Sequence, residues 1–131
     1  MTKREIRVMA VSACLLAAAA APAVAADGWA VRICRGFTEA AKIKIEVGEP
    51  GKHDQLLVNW KSDDTATEFA LPATLKDAKK VHVAADSEPA DGTVSMCVLY
   101  AGKPAKSMAF NDLLEVTVAQ GDADPKCQCP K

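Results

Sequence analysis

Four cysteines at positions 34, 97, 127 and 129 are the side chains best placed to do chemistry after the first 26 residues. Cys127 and Cys129 are separated by one glutamine, so a bond between them would close a very small, strained ring. Such a bond would also stabilise little, because closing so short a loop removes little freedom from the unfolded chain. We therefore predict that each bonds a distant partner, with Cys34 and Cys97 taken in one order or the other.

The same Cys-x-Cys spacing is compatible with metal or redox chemistry. Soft thiolate and thioether ligands favour Cu(I), so a copper-binding or metal-handling protein is the alternative hypothesis. The ligands for that site would be Cys127, Cys129, Met96 and Met108. Both methionines share a predicted strand face with apolar residues, which favours core packing. A redox pair would need a helix end that lowers the thiol pKa, and the sequence predicts no such helix. The favoured interpretation needs no cofactor.

Few residues are available for acid–base catalysis. The chain has no G-x-S-x-G or H-E-x-x-H motif, no phosphate-binding glycine loop and no dinucleotide fingerprint. It has two histidines and one tyrosine. We therefore predict a protein that is not an enzyme. A small hydrolase would require His53 or His82 to lie within hydrogen-bond reach of Ser, Asp or Glu in a cleft.

Carboxylates cluster in segments whose composition is typical of loops. One segment is DSEPADG, which contains Asp86, Glu88 and Asp91, and another holds Asp122 and Asp124. Gly, Pro and Asp together favour turns, so solvated charge is the expected role of these groups. A calcium site built from Asp122 and Asp124 is a minor alternative.

The first residues have the pattern of a secretory signal peptide. Lys3, Arg4 and Arg7 precede an apolar run from Val8 to Ala20 and then small residues around Ala25. The run is shorter than the roughly 20 residues of a membrane span, so no membrane span is expected. We predict removal of residues 1–26 and a periplasmic or secreted location in a bacterium. A lipoprotein cut before Cys14 is the competing interpretation, and it would leave an unexplained apolar terminus.

Residues 27–131 are predicted to form a single domain. Losing the signal lowers Lys and Arg from 16 to 13 and Asp and Glu from 17 to 16, so the net charge becomes −3. An acidic chain argues against a nucleic-acid partner, which requires a basic surface. A length near 100 residues matches one modest hydrophobic core.

Apolar residues recur with period two, which predicts half-buried strands. Trp29, Val31 and Ile33 should share one face, and Leu56, Val58 and Trp60 another. Further inward sets are Ile43, Ile45 and Val47; Val81 and Val83; Val94, Met96 and Val98; Leu114, Val116 and Val118. Seven or eight such strands predict an all-β, small antiparallel β-sandwich stapled by disulfides, with an immunoglobulin-like layout possible. FTEAAKI and ATLKDAKK are the two segments that can form a helical turn.

The alternation also predicts where two cysteines point. Cys34 and Cys97 fall on the faces opposite the inward residues of their strands, so we expect both to face a covering C-terminal tail. The runs TVSMCVLY and AKSMAFN, joined by AGKP, predict a β-hairpin.

The favoured function is an exported, non-enzymatic binding module for a protein partner. Aromatic side chains dominate contact energies, so Trp29, Trp60 and Tyr100 are candidate anchors. The exposed tip of the hairpin adds Gly102, Lys103 and Pro104 as candidate contacts. Burial of the aromatic rings in the core would remove these anchors.

Overall fold

The computed structural model describes residues 28–127, which form eight β-strands. Their bounds are β1 Trp29–Ile33, β2 Lys42–Gly48, β3 Gln55–Lys61, β4 Glu68–Ala70, β5 Lys80–Glu88, β6 Val94–Tyr100, β7 Lys103–Phe110 and β8 Leu113–Ala119. The only helical segments in this range are 3-10 turns at Arg35–Phe37 and Ala73–Leu75. The second turn falls within the predicted segment ATLKDAKK. The first turn shares only Phe37 with the predicted segment FTEAAKI.

The strands form two four-stranded sheets. Sheet A has the order β4-β1-β6-β7, and sheet B has the order β3-β2-β5-β8. Every neighbouring pair is antiparallel. The predicted all-β sandwich is therefore confirmed. An immunoglobulin constant domain places strands 1-2-5-4 in one sheet and 3-6-7 in the other, so the likeness lies in the two-layer architecture and not in the strand order.

One apolar core fills the space between the sheets. The predicted inward sets of β1, β2, β5, β6 and β8 all contribute to it. Val31, Ile45, Val83 and Met96 have no measurable exposure. Alternation of apolar and polar residues thus places the inner face of each strand correctly, because successive side chains point to opposite faces of a sheet.

The prediction for β3 was wrong at Leu56. The register shifts between Ile45 and Glu46, which leaves Leu57 as an extra residue on β3, so Leu56 pairs with Glu46 and not with an inward residue. An extra residue on one strand reverses the side-chain faces beyond it. Leu56 is consequently 54% exposed on the outer face of sheet B.

The prediction for DSEPADG was also wrong in its first half. β5 continues through Asp86, Ser87 and Glu88, and these residues pair with Lys44, Ile43 and Lys42 of β2. The polar composition suggested a loop, but the pairing with β2 is a non-local contact that composition does not report. Two carboxylates thereby become part of the outer face of sheet B.

Candidate functional site

Both tryptophans lie inside the protein. Trp29 is 1% exposed and donates its Nε1–H to the carbonyl of Ala78 at 2.7 Å. Trp60 is 2% exposed and donates to the carbonyl of Ala66 at 3.1 Å. Tyr100 is half-buried, with its ring 4.9 Å from that of Trp29. The indole rings therefore do not present a contact surface, and the anchor role predicted for Trp29 and Trp60 is corrected to core packing.

The predicted β6–β7 hairpin is present, with a tighter turn than AGKP suggested. Ala101 and Gly102 have φ of 53° and 77°, the left-handed pair that a two-residue hairpin turn requires. Lys103 and Pro104 already belong to β7, and both are exposed together with Gly102. The hairpin tip thus remains an accessible site for the predicted partner contact.

Cys97 and Cys127 form a disulfide across a sequence separation of 30, with their Cα atoms 5.5 Å apart. This pairing excludes the small Cys127–Cys129 ring and selects one of the two orders left open. Cys34 is also disulfide-bonded. Its predicted partner in this order, Cys129, lies outside the described residues, as does the predicted signal peptide. The Cys97–Cys127 bond fits a protein that is exported to an oxidising compartment.

The copper alternative requires the thiols of Cys127 and Cys129 to be free. Cys127 is bonded to Cys97, and a disulfide sulphur is not the thiolate that binds Cu(I). Met96 and Met108 are 0% and 1% exposed in the core between the sheets. Three of the four proposed ligands are thus unavailable to a metal in this structure.

The chain end packs against an apolar cluster on the outer face of sheet A. Ala30, Cys34, Cys97 and Leu99 form a second buried cluster there, and Cys127 packs against it. The prediction that Cys34 and Cys97 turn away from the main core is confirmed. These apolar side chains point outward and need cover, which the tail supplies. In the described residues the tail forms no strand after β8.

Asp124 fastens this tail to the edge strand β7. Its carboxylate accepts hydrogen bonds from the backbone N–H groups of Ser107 at 2.8 Å and Lys126 at 3.0 Å. In return, the N–H of Asp124 donates to the carbonyl of Pro104. The bond from Ser107, followed by that from Lys126, lowers the pKa of Asp124, and the charges of Lys106 and Lys126 add to this effect. The tail thereby occupies hydrogen-bonding groups at an edge that would otherwise be open.

The outer face of sheet B, in contrast, carries charged side chains. In the register of β2 and β5, Lys42 lies opposite Glu88 and Lys44 lies opposite Asp86. The Lys42 ammonium is 3.6 Å from the Glu88 carboxylate, and both side chains are mostly exposed. Basic residues thus stand on β2 and acidic residues beside them on β5.

The edge strands β3 and β8 continue this separation of basic and acidic residues. On the β3 side, Lys61 lies opposite Lys42 and Asn59 lies opposite Lys44. On the β8 side, Leu113 lies opposite Asp86. Asp112 precedes Leu113, and it exchanges hydrogen bonds with Ser87, whose N–H donates to its carbonyl and whose hydroxyl accepts from its N–H.

An open groove of about 690 Å³ runs across this part of sheet B. Its charged lining consists of Lys42, Lys44, Lys61, Asp86, Glu88 and Asp112. The three lysines come from β2 and β3, whereas the three acids come from β5 and the turn before β8. We name this surface the charged groove.

A histidine cluster lies further along the same face, and the sequence did not predict it. Nδ1 of His82 is 3.0 Å from the Thr117 hydroxyl, and Nε2 is 2.9 Å from the Glu115 carboxylate. His53 lies 3.3 Å from Glu46, and its ring centre is 6.0 Å from that of His82. Only the strand register, which pairs His82 with Thr117, brings these groups together.

Within the histidine cluster, His53 meets the condition set for a hydrolase, because it lies 3.3 Å from Glu46 and both side chains line a pocket of about 210 Å³. His82 also has a hydrogen-bonded carboxylate, but the residue is 8% exposed and both ring nitrogens face neighbours on β8. A general base must reach the proton that it removes from a substrate. Cross-strand hydrogen bonding accounts for these contacts, since paired side chains on one sheet face stabilise the sheet.

Three further observations concern metal sites, membrane helices and known proteins. Among residues 28–127, no three His, Cys, Asp or Glu side chains converge on a point that suits a metal ion. No helical segment in the same range has the length and apolar character needed to cross a membrane. Comparison of the chain with protein-family models, curated proteins and solved structures finds no match.

Proposed function

We propose that this chain is an exported, non-enzymatic binding module that holds a protein partner on the outer face of sheet B. The observation that carries the proposal is the charged groove, in which basic and acidic side chains are exposed and separated into two halves. Charged surfaces of this kind steer partners and fix their orientation. The tail packs against the apolar cluster on β1 and β6 of sheet A, so sheet B offers the broader open face.

The outer face of sheet B also has exposed apolar side chains, which the buried tryptophans do not provide. Leu56 and Leu113, on the edge strands β3 and β8 of the same sheet, are 54% and 53% exposed. A contact surface needs apolar area as well as charge, because charge contributes more to specificity than to affinity. The hairpin tip at Gly102, Lys103 and Pro104 is the second candidate surface, since all three residues are exposed.

Site-specific photo-cross-linking in the producing cell tests the contact surface. A photoreactive amino acid replaces Asn59 in the charged groove, Lys103 at the hairpin tip, or the exposed Ala109 on sheet A as the matched control. We expect protein adducts from position 59 and none from position 109. Adducts confined to position 103 would move the site to the hairpin, and equal labelling at all three positions would refute a specific surface.

The exported state has its own test. Intact mass of the protein isolated from the cell envelope or medium should correspond to a chain that begins at Ala26 or Asp27. Under non-reducing conditions no cysteine of this chain should react with an alkylating agent. Retention of residues 1–26, or alkylation of Cys127, would contradict the proposed location and its oxidised state.

A further inference from the structure

The charged groove has a layout that fits a second copy of itself. Lys42 and Lys44 on β2 lie directly beside Glu88 and Asp86 on β5, at the same level along the strands. The basic half and the acidic half are therefore mirror positions about a line that runs along the strands between β2 and β5. This pattern is the condition for an isologous contact, in which residue i meets residue j and j meets i.

A two-fold rotation about that line pairs opposite charges between copies. The rotation exchanges the β3 margin with the β8 margin and keeps each residue at its own level. Lys44 of one copy then faces Asp86 of the other, and Lys42 faces Glu88. Aligned packing of two sheets keeps their strand directions within about 30°, so the levels remain matched near the axis.

The margins of the face add two independent observations. Lys61 lies directly opposite Lys42, and like charges in that position destabilise an isolated strand pair. The rotation brings Lys61 to the opposite margin, where Asp112 precedes β8. The same rotation brings the exposed Leu56 on β3 toward the exposed Leu113 on β8, which lies one level away. In the dimer, Lys61 thus gains an acidic neighbour, and the two exposed leucines gain apolar neighbours.

We propose that the outer face of sheet B is a self-association surface, on which a second copy of this chain docks about a two-fold axis between β2 and β5. This inference rests on the proposed function and names its partner. Four strands of seven to nine residues present an area of roughly 19 by 24 Å. That area is at the lower limit for a specific interface, so the dimer is expected to be weak, with a Kd of about micromolar or above.

Sedimentation equilibrium of the mature protein, at concentrations from micromolar to millimolar, tests the proposal. The average mass should rise toward twice the monomer mass. Added salt should weaken the dimer by about tenfold or more between 0.05 and 0.5 M, since exposed charge pairs are screened.

A charge-swap experiment identifies the surface. K42E/K44E makes the groove acidic, and D86K/E88K makes it basic, so each variant alone should be monomeric. An equimolar mixture of the two should form a heterodimer, because each face now complements the other. K79E/K106E changes the charge by the same amount at exposed positions outside the groove and should dimerise like the parent. Circular dichroism melts confirm that each variant folds.

The outcomes separate the two proposals. A parent chain that stays monomeric at millimolar concentration, or a mixture that fails to pair, overturns self-association. If photo-cross-linking from position 59 then captures a different protein, the binding function stands with another partner. If position 59 gives no adduct of any kind, both proposals fail for sheet B, and adducts at position 103 alone would leave only the hairpin site.

Discussion

The outer faces of the two sheets differ in what covers them. Sheet A presents Ala30, Cys97 and Leu99 outward, and the tail buries them beneath the Cys97–Cys127 disulfide. Sheet B presents lysines and carboxylates outward at the corresponding positions, and its charged groove is open. Small apolar side chains cannot remain in water without cost, whereas charged ones can. The outward residues of each sheet therefore indicate which face is structural and which is available for binding.

Removal of the Cys97–Cys127 disulfide should have the largest effect. The double variant Cys97→Ala, Cys127→Ala removes a cross-link that spans 30 residues, which we expect to cost about 3 kcal/mol of unfolding free energy. Chemical denaturation under non-reducing conditions measures the loss. The matched variant Lys44→Ala, on the open face, should change stability by less than about 0.5 kcal/mol. Similar losses from both would mean that the two faces are equally structural.

A pair of leucines gives the next test of the comparison. Leu99 is 2% exposed beneath the tail, whereas Leu113 is 53% exposed on sheet B. Leu99→Ala should cost about 2 to 4 kcal/mol through lost burial and a new cavity. Leu113→Ala should cost less than about 0.5 kcal/mol. Thermal melts of both variants check this, and a costly Leu113→Ala would show that the margin of sheet B is already packed within the monomer.

The sequence predicts the covered face better than the open one. Alternation alone places Cys34 and Cys97 away from the core, because it depends only on the two-residue period of a strand. The open face depends on non-local register. The bulge that turns Leu56 outward has no glycine or proline to mark it, and Asp86 and Glu88 join a strand only by pairing with β2. Pairing also brings His82 to Thr117 and Glu115, which are 35 and 33 residues away.

The histidine cluster tests whether any part of sheet B's outer face is structural. His82→Ala should cost about 1 kcal/mol, because it removes two hydrogen bonds whose partners on β8 can be rehydrated. His53→Ala is the control, since His53 is exposed and should contribute less than about 0.5 kcal/mol. Urea unfolding of the two variants measures the difference. Equal effects would show that the cluster stabilises the sheet as a unit.

The smallest predicted effect concerns the non-covalent attachment of the tail through Asp124. Hydrogen bonds from the Ser107 and Lys126 backbones lower the pKa of this carboxyl below its ordinary value of 3.8. A group whose pKa is depressed on folding stabilises fully above its unfolded pKa, and the contribution is lost as the pH falls through the folded value. The tail contact should therefore persist at neutral pH and weaken only below pH 3.8.

The amide proton of Ser107 reports this contact directly. Its NMR chemical shift should be constant from pH 7 to pH 5 and should titrate with a midpoint below 3.8. Asp124→Asn should abolish the titration and move the signal toward that of a weaker hydrogen bond at neutral pH, while the disulfide keeps the tail in place. Asp122→Asn is the control, because Asp122 accepts from Ala119 and not from Ser107. A midpoint at or above the ordinary aspartate pKa would show that the Asp124 carboxylate does not help to hold the tail against sheet A.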